Sequence, residues 1–234
     1  MCRWEDEGRG PVDLPPPGIT TADARDLQLG LRNRVLSACP AGFSPQLIGG
    51  ADVSILKGRD VGHAAIVVVS MEEMRPVDQA TASVEVVFPY VPGLLSFREL
   101  PPLALAWEKL SVRPDVLIFD AHGLAHPRRF GLACHGGLLF DVPSVGAAKS
   151  ILVGEHGELA EAKGSTASLL HEGEEVGKAL RTRRGVSPIF VSVGHQMNLS
   201  TAVEVVLRAS PCYRIPEPIR RAHRLSNQIR TAAT

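Results

Sequence analysis

The sequence predicts a single α/β domain built on a mixed sheet. Three Val- and Ile-rich segments of strand length, Leu47–Ile55, His63–Ser70 and Ala82–Phe88, follow one another across Gly- or Pro-containing turns, the pattern of an antiparallel meander. From about Leu103 onward, helix-periodic segments alternate with short apolar ones, the pattern of an α/β layer structure. Composition agrees, since 44% of the 234 residues are hydrophobic and 21% charged, enough apolar surface for a core. The longest apolar runs, Ala64 to Val69 and Val116 to Phe119, are strand-sized and fall well below the roughly 18 residues of a membrane helix, so no membrane association is expected.

Taken in order, residues 1–18 are acidic and Pro-rich, with Pro15-Pro16-Pro17, and read as a flexible tail ahead of a domain over 19–230. The first residues lack the charged-then-apolar pattern of a signal peptide, so a cytoplasmic protein is expected. Ala24, Leu27, Leu31, Val35 and Ala38 recur at helical spacing and predict an amphipathic helix over Thr20–Ala38. After the three strands comes a helix carrying Leu103, Ala104, Trp107 and Leu110. Its start is placed at Pro101, because a helix capped at Ser96 would hold Pro101 and Pro102 in its interior. Asp115–Asp120 is a strand, Arg129–Phe140 a helix, Ser144–Ala148 a short buried strand, and Ile151–Arg184 a hairpin-bearing insertion. Ile189–Val193 is a strand and Ser200–Ala209 a helix, and Pro218 opens a last helix through Ile229, leaving 231–234 as a C-terminal tail. The four cysteines, Cys2, Cys39, Cys134 and Cys212, form no C-x-x-C pair, which argues against a disulfide framework or a cysteine-rich zinc module.

Charge is balanced overall, 25 Lys+Arg against 25 Asp+Glu, but unevenly spread. Arg181 to Arg230 holds nine arginines and two glutamates, a basic segment able to face phosphates by releasing their counterions. Two carboxylates stand out against apolar surroundings. Asp52 lies within Leu47 to Ser54, and Asp120 ends the run Val116 to Phe119. Burying a carboxylate costs several kcal/mol unless cations or donors compensate, so two strand-borne aspartates point to a shared metal, whereas either one alone reads as a loop cap. Glu99, freed from a capping-box role by the prolines that follow it, is a third candidate. In Pro89-Tyr90-Val91-Pro92-Gly93 one of only two tyrosines is clamped between prolines, a stiff loop able to present Tyr90 and Val91 as a wedge for a base step.

These residues are where a family likeness emerges. Asp52-Val53-Ser54, Pro89 to Gly93, Phe97-Arg98-Glu99, the run Asp120 to Gly131, Gly146-Ala147-Ala148-Lys149-Ser150, Val191-Ser192-Val193-Gly194-His195 and Arg214-Ile215-Pro216-Glu217-Pro218 resemble, in this order, the endonuclease V family. The resemblance implies a ribonuclease H-like mixed sheet flanked by helices and a magnesium-dependent repair nuclease, with manganese able to substitute. It further implies action on DNA containing deoxyinosine, the product of adenine deamination, at the second phosphodiester bond 3′ to the lesion. Inosine-containing RNA is the alternative substrate, and no obligate protein partner is expected. By the same resemblance Asp52, Glu99 and Asp120 are the catalytic, metal-binding carboxylates and His195 stands beside the metal; Lys149, a lone cation after Gly146-Ala147-Ala148, is read as able to stabilise the transition-state phosphate or orient the water. Pro89, Tyr90, Val91, Pro92, Gly93, Leu95, Gly123, His126, Arg128 and Gly146 are the expected substrate-binding residues, with Gly93, Gly123 and Gly146 giving backbone access to a flipped base.

Two rival readings are weaker. His122, His126, Cys134 and His135 could be taken for a zinc set, but Gly123 and Pro127 break the histidine pair into a loop, and adjacent Cys134 and His135 hinder tetrahedral ligation. A non-catalytic inosine- or branched-nucleic-acid-binding protein on the same fold is opposed by the intact set of carboxylates.

Overall fold

Leu47–Ile55 forms a nine-residue strand, β1, whose alternate side chains serve two different cores. In the computed structural model, which describes residues 12–56 and 60–233, it follows helix α1 (Thr21–Leu31) and a 3-10 turn (Arg32–Arg34). It is followed by β2 (Val61–Ser70), β3 (Pro76–Glu85), α2 (Leu95–Glu108), β4 (Val116–Phe119), α3 (Leu132–Phe140) and β5 (Ser144–Ala148). The chain ends with β6 (Glu155–His156), β7 (Thr166–His171), β8 (Glu174–Leu180), β9 (Ile189–His195), α4 (Leu199–Arg208) and α5 (Glu217–Ala232).

All nine strands share one sheet in the order β3-β2-β1-β4-β5-β9-β8-β7-β6. β1, β2 and β3 are antiparallel neighbours, whereas β4 and β5 run parallel to β1. That five-strand order and polarity is the ribonuclease H-like arrangement anticipated above. On one face Ile48, Ile118, Val145 and Val193 pack against Val205 and Val206 of α4 and Ile219 and Ala222 of α5. On the other, Ala51, Leu117 and Phe119 meet Leu100 and Leu103 of α2 and Leu132 of α3. Among the described residues no helix is long and apolar enough to cross a membrane.

Several elements depart from expectation for physical reasons. β3 begins at Pro76, well before Ala82, because it is the sheet edge, with only Ala80 and Ala82 buried, and so carries little hydrophobic signal. α2 begins at Leu95 with Pro101 and Pro102 inside it. Interior proline costs about 3 kcal/mol or more, but burying Phe97, Leu100 and Leu103 stabilises by roughly 1.5–3 kcal/mol each, and this stripe outweighs the lost backbone bonds. α3 starts at Leu132 because Arg129 takes a left-handed φ of 55°. α1 stops at Leu31, where the chain tightens into the 3-10 turn. The segment Ile151–Arg184 bears the expected hairpin, β7–β8, and it extends the main sheet, since β8 pairs with β9 and carries β7 and β6 outward. Of the expected N-terminal tail, residues 1–11 lie outside the described residues. Val12 is buried against Phe130, Cys134 and Leu138, and its N–H donates to the Leu138 carbonyl at 3.2 Å. At the other end, α5 continues through Ala232 into the stretch read as a tail.

Candidate active site

Register brings the two aspartates together. Ala51 of β1 lies opposite Phe119 of β4 in a parallel pair, so the next residues, Asp52 and Asp120, stand side by side on strands spaced about 4.8 Å apart. Both follow the face that carries Ile48 and Ile118, the face covered by α5. α5 can lie this close because its start crosses Gly50, where any Cβ would overlap the Pro218 backbone. One turn further along, His223 Nδ1 lies 3.3 Å from Asp52 Oδ1, and the Ser226 hydroxyl donates to Oδ2 at 2.5 Å. Lys149 follows Val145 and Ala147 on the same face of β5, and its ammonium donates to Asp120 Oδ2.

Glu99 approaches from α2. Desolvation, reinforced by the charges of Asp52 and Asp120, pushes its carboxyl up to about 8. Asp120 is also raised, first by burial and then by Asp52, against the pull of Lys149 and His223. Three carboxyl groups thus sense one another within one electrostatic neighbourhood, and their combined charge calls for cations. As the side chains stand, each aspartate draws its compensation from the protein, Asp120 from Lys149 and Asp52 from His223 and Ser226. Among the described residues no three His, Cys, Asp or Glu groups stand at ligand spacing for a metal. The three-carboxylate ligand set read from the sequence is therefore not closed in this arrangement, although an all-oxygen donor set with surplus negative charge fits a hard divalent ion.

Beside this cluster opens a cavity of about 400 Å3, lined by Tyr90, Val91, Pro92, Gly93, Leu95 and Ser96 on one side and by Asp120, His122, His126, Lys149, Ile151 and Leu152 on the other. It shares Asp120 and Lys149 with the charged cluster. Tyr90 stands at its mouth, 71% exposed. The loop that presents it is pinned at Gly93, which has φ 79° and whose carbonyl accepts from Gln28 Nε2 (3.1 Å), His126 Nε2 (2.9 Å) and an Arg128 terminal nitrogen (2.7 Å). Because His126 Nδ1 accepts from the Arg128 N–H at 3.1 Å, its Nε2 carries the proton; burial pushes its pKa down to about 4 and keeps the ring neutral.

The sequence model of the endonuclease V family matches residues 31–224. An endonuclease V of Myxococcus xanthus is 58% identical over 214 residues, 92% of this chain and 91% of that protein. This chain belongs to the endonuclease V family. Among solved structures, the enzyme of Streptomyces avermitilis superposes with a TM-score of 0.88 at 43% identity, covering 96% of this chain and 98% of that one. An endonuclease V of Ciona intestinalis, solved in complex with a 24mer DNA containing an inosine followed by a ribo-adenosine, superposes with a TM-score of 0.80 at 28% identity, covering 91% of this chain and 98% of that one. The activity class is phosphodiester-hydrolysing endonuclease.

Against the endonuclease V expectation, His195 is not at the carboxylates. β9 is antiparallel to β5 and pairs His195 with Ser144, at the opposite end of β5 from Lys149. Five strand steps separate the two ends, about 16 Å. His195 instead accepts the Leu36 N–H on Nδ1 at 3.3 Å, and burial holds its pKa below the usual range. Gly123 and Gly146 also differ from expectation, since they do not line the cavity. A Cβ on Gly123 would overlap the Val193 carbonyl, and one on Gly146 would overlap the Ala121–Gly123 backbone, so both let the loop after Asp120 lie flat on the sheet. Pro89 stands behind the loop rather than in the cavity wall, and Arg128 acts on the loop through Gly93 and Gln28 Oε1 (2.6 Å).

The zinc reading fails on partners. Cys134 donates to the Val193 carbonyl at 3.6 Å with its thiol pushed up to about 12, His126 serves Gly93, and His135 serves Ser96. Part of the basic C-terminal segment is likewise used internally: Arg220 and Arg221 pair with Glu217, and Arg214 grips the carbonyls of Ser187, Lys149 and Pro188. Sequence reasoning missed His223, Ser226 and Gln28. The signal for the first two was His223, Ser226 and Asn227 at i, i+3 and i+4 on one face of the last helix.

Proposed function

We propose that this chain is a divalent-metal-dependent repair endonuclease that hydrolyses the second phosphodiester bond 3′ to deoxyinosine in DNA, leaving a 3′-hydroxyl and a 5′-phosphate. The observation that carries the reading is a base-sized cavity that shares two walls, Asp120 and Lys149, with a carboxylate cluster. The inosine-containing DNA held by the Ciona relative is of the same substrate class.

Asp52 and Asp120, with Glu99 beside them, are the residues that would hold the ion. Bound there, magnesium or manganese would supply an offset for the phosphate charge and a lowered pKa for a nearby water. Lys149 reaches the same place from Asp120, and transfer of its ammonium to a non-bridging phosphate oxygen would exchange one anionic partner for another. His223, on the exposed side of Asp52, is placed to keep that carboxylate oriented or to move a proton at its Nδ1. The cavity takes the flipped base, and Tyr90 fills the gap left in the stack. Inosine pairs weakly, which lowers the cost of flipping.

The test is an end-labelled duplex with one central deoxyinosine, incubated with magnesium and, separately, with chelator. One nick, two bonds 3′ to the lesion and only with the ion present, is the expected result. Binding without a nick under magnesium overturns the nuclease assignment. A matched inosine RNA strand in the same assay ranks the sugar preference.

A further inference from the structure

Under the cavity floor lies a titratable side chain that the cleavage chemistry does not use. His135, on α3, is fully buried, caged by the rings of Phe97 (centroid distance 5.4 Å) and Phe130 (5.2 Å). Its Nδ1 lies 3.0 Å from the Ser96 hydroxyl, and its Nε2 has no hydrogen-bond partner. Ser96 sits in the first turn of α2 and lines the cavity beside Gly93, Leu95 and His122.

The orphaned nitrogen decides the tautomer. Were the proton on Nε2, a buried N–H would go unpaired in an aromatic cage, a rarer and costlier state than an unpaired lone pair. The proton therefore belongs on Nδ1, donating to Ser96 Oγ. Burial pushes the ring pKa down to about 3, so this neutral form persists at working pH. Ser96 then has one lone pair engaged and its own O–H free, and among the described residues that hydroxyl has no second partner.

We propose that Ser96 is a base-selectivity residue, its hydroxyl hydrogen turned into the cavity by His135 to bond a 6-oxo acceptor on the flipped purine. The proposal rests on the deoxyinosine reading above and adds a residue to it. Hypoxanthine presents O6 as an acceptor at that edge, whereas adenine presents an amine, so an O–H held toward the cavity can bond the first and not the second. His135 is a positioning residue: it touches no substrate and acts by presenting an N–H to Ser96 Oγ, so that the hydroxyl cannot spend its own hydrogen on the ring.

The test measures binding in chelator, by fluorescence anisotropy, to duplexes carrying one deoxyinosine or one deoxynebularine, a purine lacking the 6-oxygen. Ser96→Ala is expected to weaken deoxyinosine binding about 3- to 10-fold, the effect of one neutral hydrogen bond, while leaving deoxynebularine binding within about 2-fold by the same reasoning. Ser96→Thr, which keeps the hydroxyl, should bind both as the wild type does. His135→Asn, which keeps a donor near the Nδ1 position, should retain the deoxyinosine preference, and His135→Leu should lose it. 15N spectra of the histidine rings should show the proton on Nδ1 of His135. Equal weakening of both duplexes by Ser96→Ala, no weakening of either, or a proton on Nε2 overturns the proposal. Because no cleavage is read, a protein that binds deoxyinosine through Ser96 yet never nicks with magnesium sinks only the nuclease reading. Nicking with an unchanged binding ratio in Ser96→Ala sinks only this one.

Discussion

Two neighbouring regions of this molecule handle charge in opposite ways. The rim crowds the three carboxyl groups of Asp52, Glu99 and Asp120 together under partial burial, with the more exposed Lys149 and His223 beside the aspartates. The bed of the cavity, a few residues away, uses His122, His126 and His135, all held neutral by burial, with pKa values pushed down to about 4, 4 and 3. The contrast follows the two halves of the substrate. A phosphodiester needs cations and ionised ligands at the bond that breaks, whereas a base is told apart by neutral donors and acceptors whose pattern must not change with pH.

The sharpest way to break this division is to remove a rim charge without changing its shape. Asp52→Asn and Asp120→Asn should each lower turnover on the order of 10^3-fold or more, since the ion proposed there would lose an anionic ligand, while binding to a deoxyinosine duplex in chelator stays close to that of the wild type. Single-turnover cleavage beside an anisotropy titration separates the two effects; turnover that survives in both variants would remove the metal site from the rim. His223→Ala should cost about 10- to 100-fold, the range for groups that orient a metal-binding carboxylate. The loss should shrink as manganese is raised, if His223 works by holding Asp52 in place.

The rim was only half legible in the sequence. Asp52 and Asp120 stood out because each interrupts or ends a strand whose other residues demand burial, a local conflict visible without any partner. His223 sits on a polar helix face among arginines, where a histidine breaks no local pattern, and only the crossing of α5 over Gly50 gives it meaning. His195 failed for the complementary reason. Its segment was read correctly as a strand, but strand direction in the sheet is set by pairing with β5, a contact between residues far apart in sequence. The start of α2 was hidden by Pro101 and Pro102, whose local cost is real but smaller than the burial of the stripe they interrupt. Propensity, pattern and special residues are local; register and crossing angle are not.

Tyr90, proposed as the wedge, belongs to neither half, and its loss should be felt only where a base must leave a duplex. Tyr90→Ala should lower cleavage of a deoxyinosine duplex about 10-fold, the scale of one lost base–aromatic stack, with a smaller change on single-stranded deoxyinosine. Equal losses on both would make Tyr90 part of the general binding surface.

Stability should record the same contrast as two opposing limbs. Glu99 binds its proton more tightly folded, at about 8, than unfolded, near the ordinary 4.5. In chelator its contribution is therefore fully present below pH 4.5 and is lost as pH rises through 8, by up to about 1.4 kcal/mol per pH unit. The buried histidines run the other way. Their folded values lie below the ordinary 6.5, so their contribution is present above that pH and is lost as pH falls toward 4. Thermal unfolding in chelator should fall off on both sides of a maximum, and Glu99→Gln should flatten the alkaline limb while sparing the acid one. An unchanged alkaline limb would mean that Glu99 does not carry the strain of the cluster.

The smallest expected effect concerns His195, and it tests where the rim ends. His195 is buried at the end of β5 opposite Lys149, its Nδ1 accepting the Leu36 N–H and its Cβ against Gly137 of α3. Removing it opens a small cavity and frees one backbone N–H, a loss of about 1–2 kcal/mol in stability. His195→Ala should therefore lower the melting temperature by a few degrees and leave cleavage, at temperatures below unfolding, within about 2-fold of wild type, since surrounding structure absorbs changes that leave the reacting groups in place. The same substitution made at His223 is expected to spare stability and cost turnover. If the two histidines exchange these phenotypes, the carboxylates work from the other end of the sheet and the division between rim and bed must be redrawn around β9.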